Sequence, residues 1–114
     1  MPDALLSLLE TEEHLRRALS ADAAVLYKHS PVCALSALAM RQVRRFAEGH
    51  PDVLVYVVDV VGQRALSDRI ESTFRVRHQS PQAIFLLRGT AVWDASHHFI
   101  QGEAIGDAVA GLLA

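Results

Sequence analysis

The sequence predicts an α/β domain: a four-stranded mixed sheet flanked by helices, with its elements in the order α, β, α, β, α, β, β, α. Three observations predict it. Short apolar runs at residues 23–28, 53–61 and 82–87 alternate with longer stretches whose apolar residues recur at helical spacing. The runs are rich in Val, Leu, Ile and aromatic residues and do not alternate with polar ones, so helices must cover both faces of the sheet. The last two strand candidates are separated by Arg88-Gly89, a turn signal, so they pair as a hairpin where the earlier strands are joined by helices. A βαβ half followed by a ββα half gives a mixed sheet.

Residues 10–20 read as the first helix. Thr11 is a fitting N-cap, Glu12 and Glu13 occupy the first turn where the helix dipole favours anions, and Leu15, Ala18 and Leu19 form an apolar stripe. The preceding residues 5–9 fit either a short strand or an extra helical turn. Residues 23–28 (AAVLYK) read as a buried strand, ended by a loop that contains Pro31. A second helix opens at Cys33, with Leu35, Leu38, Ala39, Gln42, Val43 and Phe46 on one expected face and Arg41, Arg44 and Arg45 on a solvated one. Gly49 and Pro51 end it. Residues 53–61 (VLVYVVDVV) suggest a strand covered on both faces. Residues 63–74 suggest a helix, with Leu66, Ile70 and Phe74 at i, i+4, i+8. After a polar loop and Pro81, residues 82–87 and 90–95 form the hairpin, in which Trp93 is expected to pack. Residues 103–113 form the last helix, with Ile105, Ala108, Val109, Leu112 and Leu113 on its apolar face.

Composition narrows the function. The chain has 114 residues, 51% of them hydrophobic and 21% charged, which is the balance of a globular domain and fits one domain over residues 1–114. With 11 basic and 13 acidic residues the net charge is −2, so no broad positive field is available for nucleic acid or an anionic membrane. No stretch is apolar and long enough to span a bilayer, and MPDALLSLLETEE lacks the basic region of a secretory signal. The expectation is a cytoplasmic protein. Its single cysteine agrees with that, since it cannot close an internal disulfide. The six histidines are scattered and form no metal-ligand spacing with that cysteine, so no metal site is expected; His97 and His98 read as structural or exposed.

The chemistry points to Cys33. Most free cysteines are buried packing residues. This one follows a strand, is preceded by His29-Ser30-Pro31, and opens a helix. At that position unpaired N–H groups and the helix dipole stabilise a thiolate and lower the thiol pKa from about 8.5. Only the thiolate attacks a disulfide. Cys33-Ala34-Leu35-Ser36 has the spacing of a C-x-x-C redox motif with serine in the second place. A C-x-x-C pair resolves its own mixed disulfide, whereas a C-x-x-S site must await an external thiol. Ser36 is placed to donate a hydrogen bond to the Cys33 thiolate, or is an ordinary first-turn polar residue.

Two segments carry a resemblance. V-L-Y-K-H-S-P-V-C-A-L-S (25–36) and F-R-V-R-H-Q-S-P-Q-A-I-F-L-L-R-G (74–89) resemble the active-site and cis-proline segments of the thioredoxin superfamily. Within it, K-H-S-x-x-C-x-x-S (28–36), S-P-Q (80–82), G-x-x-V-W (89–93) and S-H-x-x-I (96–100), in that order, are similar to the YtxJ-type monothiol bacilliredoxins over nearly the whole chain. The resemblance implies a thioredoxin-like fold, Cys33 as nucleophile, a cis Pro81 with Ser80 beside Cys33, and bacillithiol, a cysteinyl-glucosamine-malate thiol, as co-substrate. Two positions depart from the family pattern: Ala34 stands where proline is common after the cysteine, and Gln101 where threonine is common.

The expected function is thiol–disulfide exchange that removes bacillithiol from S-bacillithiolated proteins, with a second bacillithiol or another redoxin regenerating Cys33 and with no metal or organic cofactor. Lys28 and His29 are candidates to favour the thiolate or touch a substrate carboxylate. Arg77 and His78 are candidates to meet the malate carboxylates. Two alternatives belong to other classes. One is an iron–sulfur carrier of the monothiol glutaredoxin kind, although Ala34-Leu35 replaces the Gly-Phe of that motif. The other is a binding module that presents the Ser80-Pro81 loop while Cys33 stays idle.

Overall fold

The structure is a computed structural model that describes residues 5–113, with side chains to residue 112. Residues 1–4, Ala114 and the side chain of Leu113, expected on the apolar face of the last helix, lie outside the described residues. The elements are β1 (Ser7–Leu8), α1 (Glu12–Ser20), β2 (Ala23–His29), α2 (Ala34–Gly49), β3 (Leu54–Asp59), α3 (Arg64–Phe74), β4 (Gln82–Leu87), β5 (Thr90–Ser96), a 3₁₀ turn (His97–Phe99) and α4 (Gly102–Leu113).

The sheet order is β1-β3-β2-β4-β5. The expected four strands are therefore five. Ser7 and Leu8 pair in parallel with Tyr56 and Val57, and Leu9 N–H donates to Val57 O at 2.9 Å, so residues 5–9 contain a short edge strand and not an extra helical turn. Both of the strand's own side chains are exposed, so it carries no hydrophobic pattern of its own. β2 lies at the centre, parallel to β3 and antiparallel to β4. β5 closes the far edge in a hairpin whose register shifts at Phe85/Leu86.

Alternation along β2 sorts the core onto two faces. Val25 and Tyr27 join Ala39, Val43 and Phe46 of α2 and Ile105 and Val109 of α4, with Trp93 packed at the margin. Ala24 and Leu26 join Leu15 and Ala18 of α1 and Leu66 and Ile70 of α3. Both faces are covered, as the unbroken apolar runs require.

Helix ends follow their sequence signals with small shifts. Thr11 caps α1, its side chain accepting the His14 N–H at 3.1 Å, so the helix begins at Glu12. The expected apolar face of α2 is corrected. Leu35 and Leu38 are exposed, at 41% and 57%, and the buried stripe is Ser36, Ala39, Val43, Phe46 and Ala47. The stripe turns toward the sheet because Tyr27 and the β2–α2 turn fasten Ser36 inward, and helical geometry then carries residues 35 and 38 outward. Leu112 is likewise exposed, at the far end of α4.

Candidate functional site

Cys33 is set in place by its neighbours along the chain. Ser30-Pro31-Val32-Cys33 forms a turn in which Cys33 N–H donates to Ser30 O at 3.3 Å, with Pro31 at the position whose fixed φ suits such a turn. Cys33 is the N-cap of α2, extended at φ −112° and ψ 123°. Ala34, where a proline was the family expectation, is the first helical residue.

The sulfur is partly exposed, and its pKa is lowered. The largest cause is the Ser36 N–H, then the Leu35 N–H; residual burial opposes them, and the Ser36 side chain adds a smaller lowering. The sulfur makes no cap hydrogen bond of full geometry, and the Ser36 N–H also donates to Cys33 O at 3.0 Å. The amides therefore favour the anion by charge rather than by binding a neutral thiol.

Below it lies a buried polar floor. Ser36 is fully buried, and its hydroxyl oxygen accepts the Ser30 N–H at 3.1 Å, which leaves its proton free to point elsewhere. The Tyr27 hydroxyl donates to Ser36 O at 2.8 Å. The same hydroxyl lies 3.2 Å from His29 Nδ1. A carbonyl can only accept, so the single tyrosine proton goes to Ser36 and His29 donates its Nδ1–H to the tyrosine oxygen. Burial pushes the Tyr27 hydroxyl far above its ordinary pKa, so it stays a donor. Burial also lowers the His29 pKa, partly offset by Asp59 across the β2–β3 pair, so its ring favours the neutral form.

The remaining expected residues divide by face. The Ser80–Pro81 peptide is cis, and Pro81 is buried at the start of β4. Lys28 pairs with Gln82, and the antiparallel register brings the Ser80–Pro81 peptide to the end of β2, where the chain enters the cysteine turn. The Ser80 hydroxyl is buried with no partner among the described residues. Lys28 points the other way, into the α3 side of the sheet. It is fully buried, and its ammonium donates to His78 Nδ1 at 3.0 Å. It is not a solvated residue at the mouth of the site. Desolvation lowers its pKa, with Glu71 and Asp68 of α3 opposing. His78 N–H donates to Glu71 Oε2 at 2.5 Å, and Gln82 Nε2 donates to Arg77 O at 2.9 Å. The structure thus joins Lys28 to His78 and Cys33 to Ser36, but places the first pair on the α3 side and the second at the start of α2.

Sequence reasoning missed Tyr27, whose hydroxyl ties the sheet to the first turn of the active helix, and His97, whose N–H donates to Pro81 O at 3.0 Å. A tyrosine inside an apolar run carries no signal of its own. His97 could have been found from its place in the S-H-x-x-I segment. Among the described residues no group of three His, Cys, Asp or Glu is placed to hold a metal, and no helix is long and apolar enough to cross a membrane.

Comparison with known proteins extends this geometry. The family model described as monothiol bacilliredoxin BrxC matches residues 7–105. Among solved structures, a thioredoxin-fold protein provisionally described as an oxidoreductase matches with a TM-score of 0.84 and 29% identity, over 92% of this chain and 94% of that one. A point-mutant thioredoxin of Halobacterium salinarum matches at 0.75 and 18% identity, over 91% and 87% of the two chains. The thioredoxin of Trypanosoma brucei brucei matches at 0.78 and 15% identity, over 95% and 90%. The last two establish a shared thioredoxin fold alone.

Proposed function

The chain belongs to the monothiol bacilliredoxin BrxC family, and from that premise we propose that it is a thiol–disulfide oxidoreductase that removes bacillithiol from mixed disulfides with protein cysteines. The observation that carries the reading is the lone cysteine at the N-cap of α2, partly exposed and favoured as an anion by the Ser36 and Leu35 amides.

The steps follow from one thiolate without a resolving partner. Cys33 attacks the bacillithiol sulfur of the capped protein; the Cys33–bacillithiol disulfide forms as the protein–bacillithiol bond breaks, and the protein sulfur leaves as thiolate. A second bacillithiol thiolate then attacks the sulfur of the bound bacillithiol. Cys33 leaves as thiolate, and the two bacillithiols depart as their disulfide, which carries the oxidation away. A partner redoxin thiol is the alternative attacker. Ser36 supports the anion and cannot resolve the intermediate. The backbone at Ser80-Pro81 provides polar groups along which the thiol substrate lies. Lys28 and His78 act from behind, holding the loop that leads into Pro81, and His29 acts through Tyr27. The cycle runs in the cytoplasm and needs neither a metal nor an organic prosthetic group.

The test is mass spectrometry of the reduced protein after incubation with oxidised bacillithiol or oxidised glutathione. A single bacillithiol addition at Cys33, much faster than the glutathione addition and reversed by excess bacillithiol, is the expected result. Equal reaction with both disulfides, or none at Cys33, refutes the reading.

A further inference from the structure

Along α2, the helix that Cys33 caps, a groove of about 390 Å³ opens against the 3₁₀ turn, lined among others by Leu35, Leu38, Arg41, Arg45, His97 and His98. Its lining begins at Leu35, in the first turn of the helix that Cys33 caps. Leu38, Arg41 and Arg45 continue along one stripe of the helix at i, i+3 and i+7. The lining carries two arginines and two histidines and no carboxylate. Among the described residues neither arginine takes part in an ion pair. The adjoining groove of about 640 Å³ differs: Glu103 and Asp107 line it together with Arg45 and His50, so its charges are mixed.

His97 supplies a second observation. Its backbone lies at φ 55°, a left-handed conformation that side chains other than glycine rarely adopt. Its N–H is bonded to Pro81 O, so the histidine is fixed between the proline loop and the groove. This backbone conformation and that bond together set where the His97 side chain leaves the chain, at the wall of the groove.

We propose that this groove binds the carboxylate-bearing end of the small thiol, with Arg41 and Arg45 as the anion-binding pair, His97 and His98 as the facing wall, and Leu35 and Leu38 as the apolar floor. The proposal rests on the reading of Cys33 as an exchanger with a small anionic thiol. It moves carboxylate recognition from the Arg77–His78 loop to the α2 side of the sheet, where the sulfur is. Planar guanidinium groups suit a carboxylate, and two of them suit the two carboxylates of a malate group.

The test has two arms. In the first, the rate of Cys33 modification by oxidised bacillithiol is divided by the rate with neutral bis(2-hydroxyethyl) disulfide. Arg41→Gln/Arg45→Gln lowers this ratio about tenfold, the loss expected for two partly solvated ion pairs, and rising salt lowers the wild-type ratio. Unfolding in urea confirms that the variant is folded. In the second arm, free malate is titrated into the intact protein and read by nuclear magnetic resonance, where the Arg41 and Arg45 Nε–H and the His97 and His98 amide signals shift together. A ratio that is high in the wild type and unchanged in the double variant, or that falls in Arg77→Gln instead, overturns the groove while the exchange function stands. A wild-type ratio near one, with malate still shifting the groove signals, removes the bacillithiol reading and leaves the anion site. Malate shifts absent from the groove overturn the site.

Discussion

At the scale of single residues, Ser36 separates two roles that are easily confused. Its backbone N–H is the largest influence on the Cys33 pKa and its hydroxyl a lesser one, while the hydroxyl is fully buried and bonded to Ser30 N–H. Ser36→Ala keeps the amide and removes the hydroxyl. The pH midpoint of Cys33 alkylation by iodoacetamide should therefore stay below that of a free cysteine. Stability should fall by about 1–3 kcal/mol, because the Ser30 N–H loses its buried partner. A midpoint that returns to the free value would place the stabilising charge in the hydroxyl after all. His78 gives a pH prediction. Its pKa is lowered, first by desolvation and then by Lys28, with Arg64 adding to the lowering and Glu71 and Asp68 opposing. A histidine whose folded pKa lies below 6.5 binds fewer protons folded than unfolded, so stability declines as pH falls from above 6.5 through the folded value. His29 contributes in the same direction. Urea unfolding at pH 7.5 and pH 5 should show that loss, and His78→Gln should reduce it, since glutamine can accept from Lys28 without ever placing a second cation 3.0 Å from it.

At the scale of elements, α2 turns one face to the core and another to the site, and the two respond differently to truncation. Phe46→Ala, in the buried stripe, should cost about 3–5 kcal/mol, whereas Leu38→Ala should cost within about 0.5 kcal/mol. Denaturant melts of the two variants decide whether the face is assigned correctly. The docking of α4 on α2 depends on a close approach. A Cβ at Gly102 would lie 2.9 Å from Gln42 O, and the Gly102 N–H donates to Gln42 Oε1 at 3.0 Å. Gly102→Ala should thus push the helices apart at a cost of about 1–3 kcal/mol, read as a lower urea midpoint. These elements also show what the sequence could and could not disclose. The covered strands, the hairpin at Arg88-Gly89 and the helix after Cys33 were legible because burial on both faces and turn chemistry leave local marks. β1 was not, since two residues with exposed side chains join the sheet through backbone pairing alone. Leu35 and Leu38 misled because apolar residues lining a surface groove look like core residues in any periodic pattern. The Lys28–His78 pair was hidden for another reason: its members are 50 residues apart, and strand register alone brings them together.

At the scale of the whole molecule, the central position of β2 governs both stability and function. β2 bonds to β3 on one side and β4 on the other, and all but its last residue are buried. Each of its amides donates to β3 or to β4, and with both faces covered, parting either pair exposes the core, which amounts to unfolding the domain. β1 bonds to a single neighbour over two residues, and β5 forms the other edge with alternate residues exposed. Their amides can open locally. Native-state hydrogen exchange should therefore show Val25, Leu26 and Tyr27 among the slowest amides, with protection near the global unfolding free energy, and Ser7 and the outer amides of β5 much faster. The cysteine turn follows directly from the end of β2, so this gradient has a chemical consequence. The Tyr27–Ser36 bond ties the N-terminal end of α2 to the most protected strand, so the amides around Cys33 hold their direction, as the proposed exchange requires. Tyr27→Phe removes that tie and keeps the ring. It should speed exchange at Leu35 and Ser36 and leave Val25 nearly as slow as before. Uniform acceleration across β2 and α2 would mean instead that the hydroxyl serves global stability and does not hold the site in place.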